Sequence, residues 1–283
     1  MYKIVYKKAL NPTVVEMRIE APLVARRAEP GQFIILRVDA NGERIPLTIA
    51  DFDRDAGTVT VIFQLVGATT MKLGAKEVGD SIADFVGPLG NPTETEGLRR
   101  VAVIGGGVGC AIAFPIAKRL REQGAAVHSV IGFRTRDLVI LEDRFRAVSD
   151  VFRLMSDDGS VGEKGLVTDA LRGLIESGEQ YDEVIAIGPL PMMKFVCLLT
   201  REFGIRTIVS MNPIMIDGTG MCGCCRLTVG GQMKFACVDG PDFDGHLVDF
   251  DEAMSRGAQY RTFEAQARDH ACNLLSQASQ EVR

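Results

Sequence analysis

The densest chemistry in the chain is a run of sulfur and carboxylate side chains: Asp217, Cys222, Cys224, Cys225 and, after two strand-like stretches, Cys237. Thiolates gathered in this way point to metal binding in a reducing compartment more than to a disulfide framework. A plant-type [2Fe–2S] loop places a cysteine, a second after about four residues, a third after about two more and a fourth well downstream. Cys222, Cys225 and Cys237 fit the last three places, and Asp217 stands in the first. A carboxylate can ligate iron, and the surrounding glycines let backbone amides point at the sulfurs and tune the potential. The rival is tetrahedral zinc on Cys222, Cys224, Cys225 and Cys237, for which the adjacent Cys224 and Cys225 are poor co-ligands and the usual paired knuckles are missing.

Two glycine-rich turns supply a second kind of chemistry. Gly105-Gly106-Gly107-Val108-Gly109 follows an apolar strand and opens a helix, where glycine lets backbone approach a phosphate and the helix N-terminus stabilises its charge. The spacing departs from Gly-x-Gly-x-x-Gly, because Cys110 holds the third place. A tight turn made for packing alone is the bland alternative. Gly188-Pro189-Leu190-Pro191 marks a second strand-to-helix turn, and two such turns in one open α/β sheet can face the same crevice. Further forward, Arg44-Ile45-Pro46-Leu47-Thr48 puts a guanidinium and a hydroxyl in a β-rich region, a pair suited to a flavin pyrophosphate. Gly67-Ala68-Thr69-Thr70 and Gly87-Pro88 add backbone donors and tight turns nearby.

The elements that must carry these groups fall into blocks. Short β-type runs at residues 3–7, 14–19, 32–38, 58–64 and 81–86, punctuated by Pro30-Gly31, Asn41-Gly42 and Gly87-Pro88, predict a small barrel or sandwich. From Arg100 the chain alternates strand and helix: strands at 100–104, 127–133, 151–155, 183–187 and 206–209, helices up to Arg121 and at 138–147, 167–177 and 190–203. That alternation predicts a doubly wound parallel sheet. The Gly/Cys-rich stretch and a hairpin around Gly230-Gly231 are too small to bury a core and need a metal or cluster to hold them. The expected division is residues 1–97, 98–210, 211–250 and a helical C-terminal tail over 251–283, a docking element in this reading.

Composition limits the rest. With 283 residues, 46% hydrophobic and 24% charged, the chain is globular, and a net charge of -5 with scattered Lys and Arg shows no footprint for nucleic acid or an anionic membrane. The N-terminus lacks an apolar signal region and no apolar run is long enough to span a bilayer, so a cytoplasmic location is expected. Cys110, Cys197 and Cys272 stand alone in apolar stretches as packing residues, and His128, His246 and His270 have no mutual arrangement that suggests catalysis.

Taken in order, these motifs resemble the ferredoxin–NADP reductase superfamily, in its branch with a C-terminal [2Fe–2S] domain. That branch holds the electron-transfer subunits of dihydroorotate dehydrogenase and of NADH-dependent ferredoxin–NADP oxidoreductase. The resemblance covers roughly residues 1–250. It implies FAD contacts from Arg44, Pro46, Leu47 and Thr48, with Gly67, Thr69 and Thr70 near the diphosphate and Gly87 and Pro88 in the same site. It implies NAD(H) contacts from Gly106, Gly107 and Val108, from Gly188, Pro189 and Leu190 by the nicotinamide, and from Asp157, Asp158 and Gly159. Leu47 stands where many relatives carry Tyr, and Ile112 where Pro is common. Asp217 departs from the all-cysteine pattern of the dihydroorotate branch and resembles the bifurcating oxidoreductases, where Asp is a ligand. The implied activity is hydride exchange between NAD(H) and FAD, then single-electron transfer through the cluster to a larger subunit carrying a second FAD and [4Fe–4S] clusters, which serves ferredoxin and NADPH. The alternatives are a dihydroorotate dehydrogenase subunit and, in another class, a zinc-holding dinucleotide-sensing module. Arg134 and Arg136 leave room for the 2′-phosphate of NADP(H).

Overall fold

The computed structural model describes residues 1–269; His270, Cys272 and the end of the expected C-terminal helix lie outside the described residues. The first block forms strands β1 (Tyr2–Asn11), β2 (Val14–Glu20), β3 (Phe33–Arg37), β4 (Arg44–Asp53), β5 (Thr58–Gln64), β6 (Ser81–Ile82) and β7 (Asp84–Leu89), with short helices α1 (Pro22–Ala25) and α2 (Ala68–Gly74). The antiparallel order is β6-β1-β2-β5-β4-β3-β7. β6 and β7 are neighbours in sequence, so the run expected at 81–86 is one strand bent at Ala83, whose amide donates to Arg37 O (3.1 Å) and Val38 O (3.3 Å). One half pairs with β1 and the other with β3, which nearly closes the barrel.

Inside it Ile4, Met17, Ile34, Leu36, Ile49, Val61 and Phe63 are buried. Each such side chain stabilises by ~1.5–3 kcal/mol relative to exposure. β3 is buried on both faces, because Phe33 and Ile35 point outward into the core shared with the C-terminal half. Hence its uninterrupted apolar sequence. β4 was not expected as a strand, since Pro46 and the polar Arg44 and Thr48 interrupt its apolar run; it is tolerated because the apolar alternate positions Ile45 and Leu47 pack on the barrel core.

The second block comprises β8 (Arg100–Gly106), α3 (Cys110–Glu122), β9 (Ala126–Phe133), α4 (Glu142–Val148), β10 (Val151–Ser156), β11 (Glu163–Lys164), α5 (Val167–Glu176), β12 (Glu183–Ile187), α6 (Leu190–Glu202) and β13 (Thr207–Ser210). After it come the hairpin β14 (Arg226–Val229) and β15 (Gln232–Phe235), then β16 (Asp242–Asp244) and α7 (Phe250–Ala258). The main sheet runs β11-β10-β9-β8-β12-β13-β16, parallel except for β16. Along β8, Val101 and Val103 face α3 and α4 while Ala102 and Ile104 face α5 and α6, so the strand is apolar throughout.

Two helices differ from expectation. α4 starts at Glu142, not Leu138, because Leu141 takes a left-handed φ of 60°. α7 starts at Phe250, ahead of the expected tail helix: the Asp249 side chain caps it by accepting from Glu252 N (2.9 Å), and Glu252 in turn accepts from Thr228 N (3.1 Å). The first turn of that helix is thus tied to the hairpin. Residues 261–269 are also helical. The barrel and the parallel sheet are joined by a Glu16–Arg144 ion pair of 2.8 Å, in which Glu16 is buried, and by Asn11 Nδ2 donating to Leu138 O at 3.1 Å. Among the described residues no helix is long and apolar enough to cross a membrane.

Candidate functional site

The order of the parallel sheet reverses between β8 and β12, and the carboxyl ends of these neighbours open into one crevice. Both glycine turns lie there. A cavity of about 650 Å³ fills the crevice and extends to the barrel. Of the residues expected to bind cofactors, Pro46, Thr48, Gly106, Gly107, Val108, Asp157, Gly188 and Pro189 line it. Arg44, Leu47, Gly67, Thr69, Thr70, Gly87, Pro88, Asp158, Gly159 and Leu190 do not border that cavity.

The glycines of the first turn divide by task. A Cβ on Gly109 would stand 2.5 Å from Ile187 O and 2.7 Å from Gly188 Cα, and one on Gly106 2.3 Å from Met192 Sδ. These two are bare so that the turns can touch. Gly107, with φ +54° and open space beyond it, presents its backbone to the cavity. Close contact and open backbone therefore fall on different residues of one motif. Leu190 packs against the core behind α6, while Pro191, Met192 and Phe195 reach the cavity.

On the barrel side, alternation along β4 sends Pro46 and Thr48 to the cavity and Leu47 to the barrel core, which leaves the Leu47 side chain no face toward a ligand there. Arg44 reaches across to the cysteine loop: its Nε donates to Ile216 O at 2.8 Å and its Nη2 approaches Asp217 O at 3.5 Å. Gly67 precedes α2, and the Thr70 hydroxyl accepts from Gly67 N at 3.0 Å; Thr69 donates to Glu43 at 3.0 Å. Gly87 opposes the irregularity in β3, where a Cβ would lie 2.6 Å from Ile34 Cγ2.

At the end of β10, Asp157 lies in the cavity wall, whereas Asp158 folds back on Ser160, whose hydroxyl and amide hold its carboxyl below the usual range. Arg134 lines the cavity; Arg136 Nε donates to Ser160 O at 3.0 Å. Ser210, Met211, Asn212, Met215 and Pro241 form the wall facing the cysteine loop. No motif marks these residues, because segments distant in sequence bring them together; the Asn212-Pro213 turn is the nearest local signal.

In the cysteine loop the donors lie in two pairs. Cys225 and Cys237 are buried, with sulfurs 3.2 Å apart, and burial with the neighbouring Cys225 sulfur pushes the Cys237 thiol up to about 12. The Gly220 amide donates toward Cys237. Cys222 is exposed beside the Asp217 carboxylate, and the Cys224 amide holds its thiol below the usual range. Cys224 is half-buried, with its thiol raised by desolvation. Among the described residues no three His, Cys, Asp or Glu side chains gather around one point. Two donors for each of two metal ions is the need of a two-iron cluster, and amides already aimed at sulfurs suit its charge, so the residues fit that group.

Asp217 accepts from Thr219 Oγ1 (2.5 Å), Thr219 N (3.2 Å), Met221 N (3.2 Å) and Cys222 N (3.1 Å), and the Thr219 hydroxyl is the leading cause of its lowered pKa. A carboxylate offers about four lone-pair sites. Ligation by Asp217 therefore requires one donor to leave, most simply the rotatable Thr219 hydroxyl.

The remaining titratable residues take structural roles. His128 Nδ1 is 3.0 Å from Tyr181 OH, and His246 Nε2 is 3.1 Å from Thr200 Oγ1. Cys110 and Cys197 are buried packing residues, the latter pushed up to about 12 by desolvation.

Known proteins agree with this arrangement. Residues 212–249 match the family described as the iron–sulfur cluster binding domain of dihydroorotate dehydrogenase B. A Thermotoga maritima homolog of the dihydroorotate dehydrogenase B (NAD(+)) electron transfer subunit is 51% identical over 92% of this chain and 91% of its own length. The electron transfer subunit of Shouchella clausii is 35% identical over 81% of this chain and 89% of its own. A solved chain of the NADH-dependent reduced ferredoxin–NADP oxidoreductase, described for flavin-based electron bifurcation, superposes with a TM-score of 0.90 at 48% identity, covering 95% of this chain and 97% of that one. The chain belongs to the family of dihydroorotate dehydrogenase B-type electron-transfer subunits, oxidoreductase subunits that work with NAD(H), FAD and a [2Fe–2S] cluster on a ferredoxin-reductase-like fold.

Proposed function

We propose that the chain is the electron-transfer subunit of a flavin-based, electron-bifurcating NADH-dependent ferredoxin–NADP oxidoreductase. The observation that carries this is one continuous cavity whose walls come from the barrel (Phe33, Pro46, Thr48), from both glycine turns (Gly107, Pro189), and from the segments flanking the cysteine loop (Met215, Pro241). A flavin held there would have the glycine turns on one side and the segments flanking the cysteine loop on the other. When bound, FAD exchanges a hydride with NAD(H) and the cluster carries electrons one at a time.

The chain's own residues position and screen. Thr48 and Pro46 face the flavin, the Leu47 main chain holds that strand, and Arg44, Gly67, Thr69, Thr70, Gly87 and Pro88 shape the barrel end of the FAD site. Gly106, Gly107 and Val108 present the end of β8, and the N-terminus of α3, to a diphosphate. Gly188 and Pro189 seat the nicotinamide side with Leu190 packed behind them, and Asp157, Asp158 and Gly159 form the segment near the dinucleotide. Phe195, 60% exposed in the cavity wall, would help to screen a bound ring from water. Asp217 and Cys222 serve one iron, Cys225 and Cys237 the other. No side chain is needed as acid or base.

Electrons leave for a larger subunit with a second FAD and [4Fe–4S] clusters, through which ferredoxin and NADPH are served. Arg134 in the cavity wall leaves NADP(H) open as a co-substrate. Free thiols in a cysteine-rich loop fit a reducing, cytoplasmic compartment. A second reading, favoured by the identity to the Thermotoga maritima and Shouchella clausii proteins, keeps the same internal route and replaces the partner with a dihydroorotate dehydrogenase.

The test is anaerobic purification with whatever co-purifies, then flavin and iron content, and EPR of the reduced form for the natural chain and Asp217→Ala. About one FAD and two irons with an altered signal in the variant support the assignment. Zinc without flavin or iron overturns it. Reduction of NADP+ and ferredoxin by the complex, against oxidation of dihydroorotate, separates the two partners.

A further inference from the structure

The segment that runs from the cysteine loop back to the cavity is fastened at one buried acid. Asp242 opens β16, five positions after Cys237, and its neighbour Pro241 lines the cavity. Asp242 is half-buried as a residue, with its carboxyl Oδ1 out of solvent contact. Its Oδ2 accepts from Thr93 Oγ1 at 2.6 Å, the Ser210 hydroxyl also reaches the group, and Oδ1 is buried without a partner. Thr93 belongs to the stretch leaving the barrel, and Ser210 ends β13 in the cavity wall. One side chain thus touches the exits of both larger blocks.

The surroundings leave it little freedom. Thr93 N donates to Pro30 O at 2.9 Å, and Gly31 is bare beneath it, since a Cβ there would stand 2.1 Å from Thr93 Oγ1. Asn91 N donates to Gly240 O at 2.7 Å and Asn91 Nδ2 to Val238 O at 3.1 Å, while Met211 N donates to Pro241 O at 2.9 Å. A bare, ionised carboxylate oxygen in this place is costly, whereas an uncharged acid needs little more than the two hydroxyls. Burial raises the pKa of the group, with the Thr93 hydroxyl opposing that shift.

We propose that Asp242 is a positioning residue that pins the cluster-bearing segment to the barrel exit and to β13, and so fixes the cavity wall between flavin and cluster. This deepens the electron-transfer function proposed above and rests on it for its kinetic consequence. The pin itself does not.

The experiment uses the full chain carrying its cofactors, with Asp242→Asn, Asp242→Ala and Thr93→Val. Amide hydrogen exchange at residues 238–240, Asp242, Asn91 and Met211 reads the pin directly. Exchange at least tenfold faster in Asp242→Ala and Thr93→Val, with Asp242→Asn within about threefold of the natural chain, is the expected result, because the amide keeps the shape and neutrality of the acid. Rapid mixing with NADH then separates flavin bleaching from cluster reduction. The expected outcome is an unchanged first phase and a second phase at least fivefold slower in Asp242→Ala, with iron content retained. Unchanged exchange in both Asp242→Ala and Thr93→Val overturns the proposal, as does an Asp242→Asn variant as loose as Asp242→Ala. Should Asp242→Ala not fold, Thr93→Val decides by the same exchange criterion. A natural chain lacking flavin and iron fails the proposed function while leaving the exchange criterion to judge the pin.

Discussion

The crevice between the two glycine turns and the cysteine loop, whose flanking residues Met215 and Pro241 line the same cavity, are built in different ways. The crevice is shaped by the ends of β8 and β12, whose residues Val101 to Ile104 and Val184 to Ile187 are at most 1% exposed. Its backbone is set by the core of the domain before any ligand arrives. In the cysteine loop only the rear half, Cys225, Leu227, Ala236 and Cys237, reaches that core: the front half turns around the exposed Asp217 carboxylate, Met221 is 89% exposed, and Arg44 holds it from outside by main-chain carbonyls. A site made by strands is preorganised, whereas a site made by a few hydrogen bonds depends on its metal for order.

The sharpest way to break this comparison is Cys237→Ser. Loss of the buried member of the Cys225–Cys237 pair is expected to lower bound iron at least tenfold and to open residues 217–237 to hydrogen exchange, with the two large sheets unchanged by circular dichroism. If both sheets loosen as well, the loop is part of the common core and the contrast fails.

A second test lies within the crevice. Gly109→Ala forces a methyl group against Ile187 O and Gly188 Cα, where backbone must move, and overpacking of this kind costs ~1–3 kcal/mol. Gly107→Ala meets open space and is strained only by φ +54°, a cost of ~1 kcal/mol. Urea midpoints should rank the variants in that order, while NADH affinity should suffer in both. The reverse ranking would mean that the turns are not in rigid contact.

The smallest effect is a slope in pH. Glu183, at the start of β12, is buried with Arg206 2.9 Å away, and desolvation pushes its pKa up from 4.5 to about 7. An acid whose folded pKa is raised binds more protons folded than unfolded. Its contribution is fully present below pH 4.5 and is lost as pH rises through about 7. Glu183→Gln should flatten that part of the stability curve by ~1–3 kcal/mol, measured as denaturation midpoints at pH 5 and pH 8. An unchanged slope would assign the pH response elsewhere.

Much of this was legible in the sequence where local pattern and final environment agree. β12 and the start of α6 fall where expected, because an apolar run ending in Gly188-Pro189 has few other uses. β4 was missed, since it mixes Pro and polar residues on its cavity face, whereas α7 begins one residue ahead of the expected helical tail. In the site, Gly107 and Pro189 carry their own signal. Met211, Met215 and Pro241 do not, being ordinary residues made neighbours by docking. Arg44 shows the limit from the other side: its motif points to a flavin phosphate, and its guanidinium is found on the carbonyls of the cysteine loop.

The bend at Ala83 has a consequence for how the chain survives outside a complex. By spending one strand on two partners it caps the start of β1 with β6 and covers β3 with β7, and the outer strands of the large sheet, β11 and β16, are two and three residues long. Long unpaired strand margins are what other chains add to when β-rich proteins aggregate. Among the described residues β6, β11 and β16 are too short to offer such a margin, which leaves β7, at six residues, as the longest strand at the end of either large sheet.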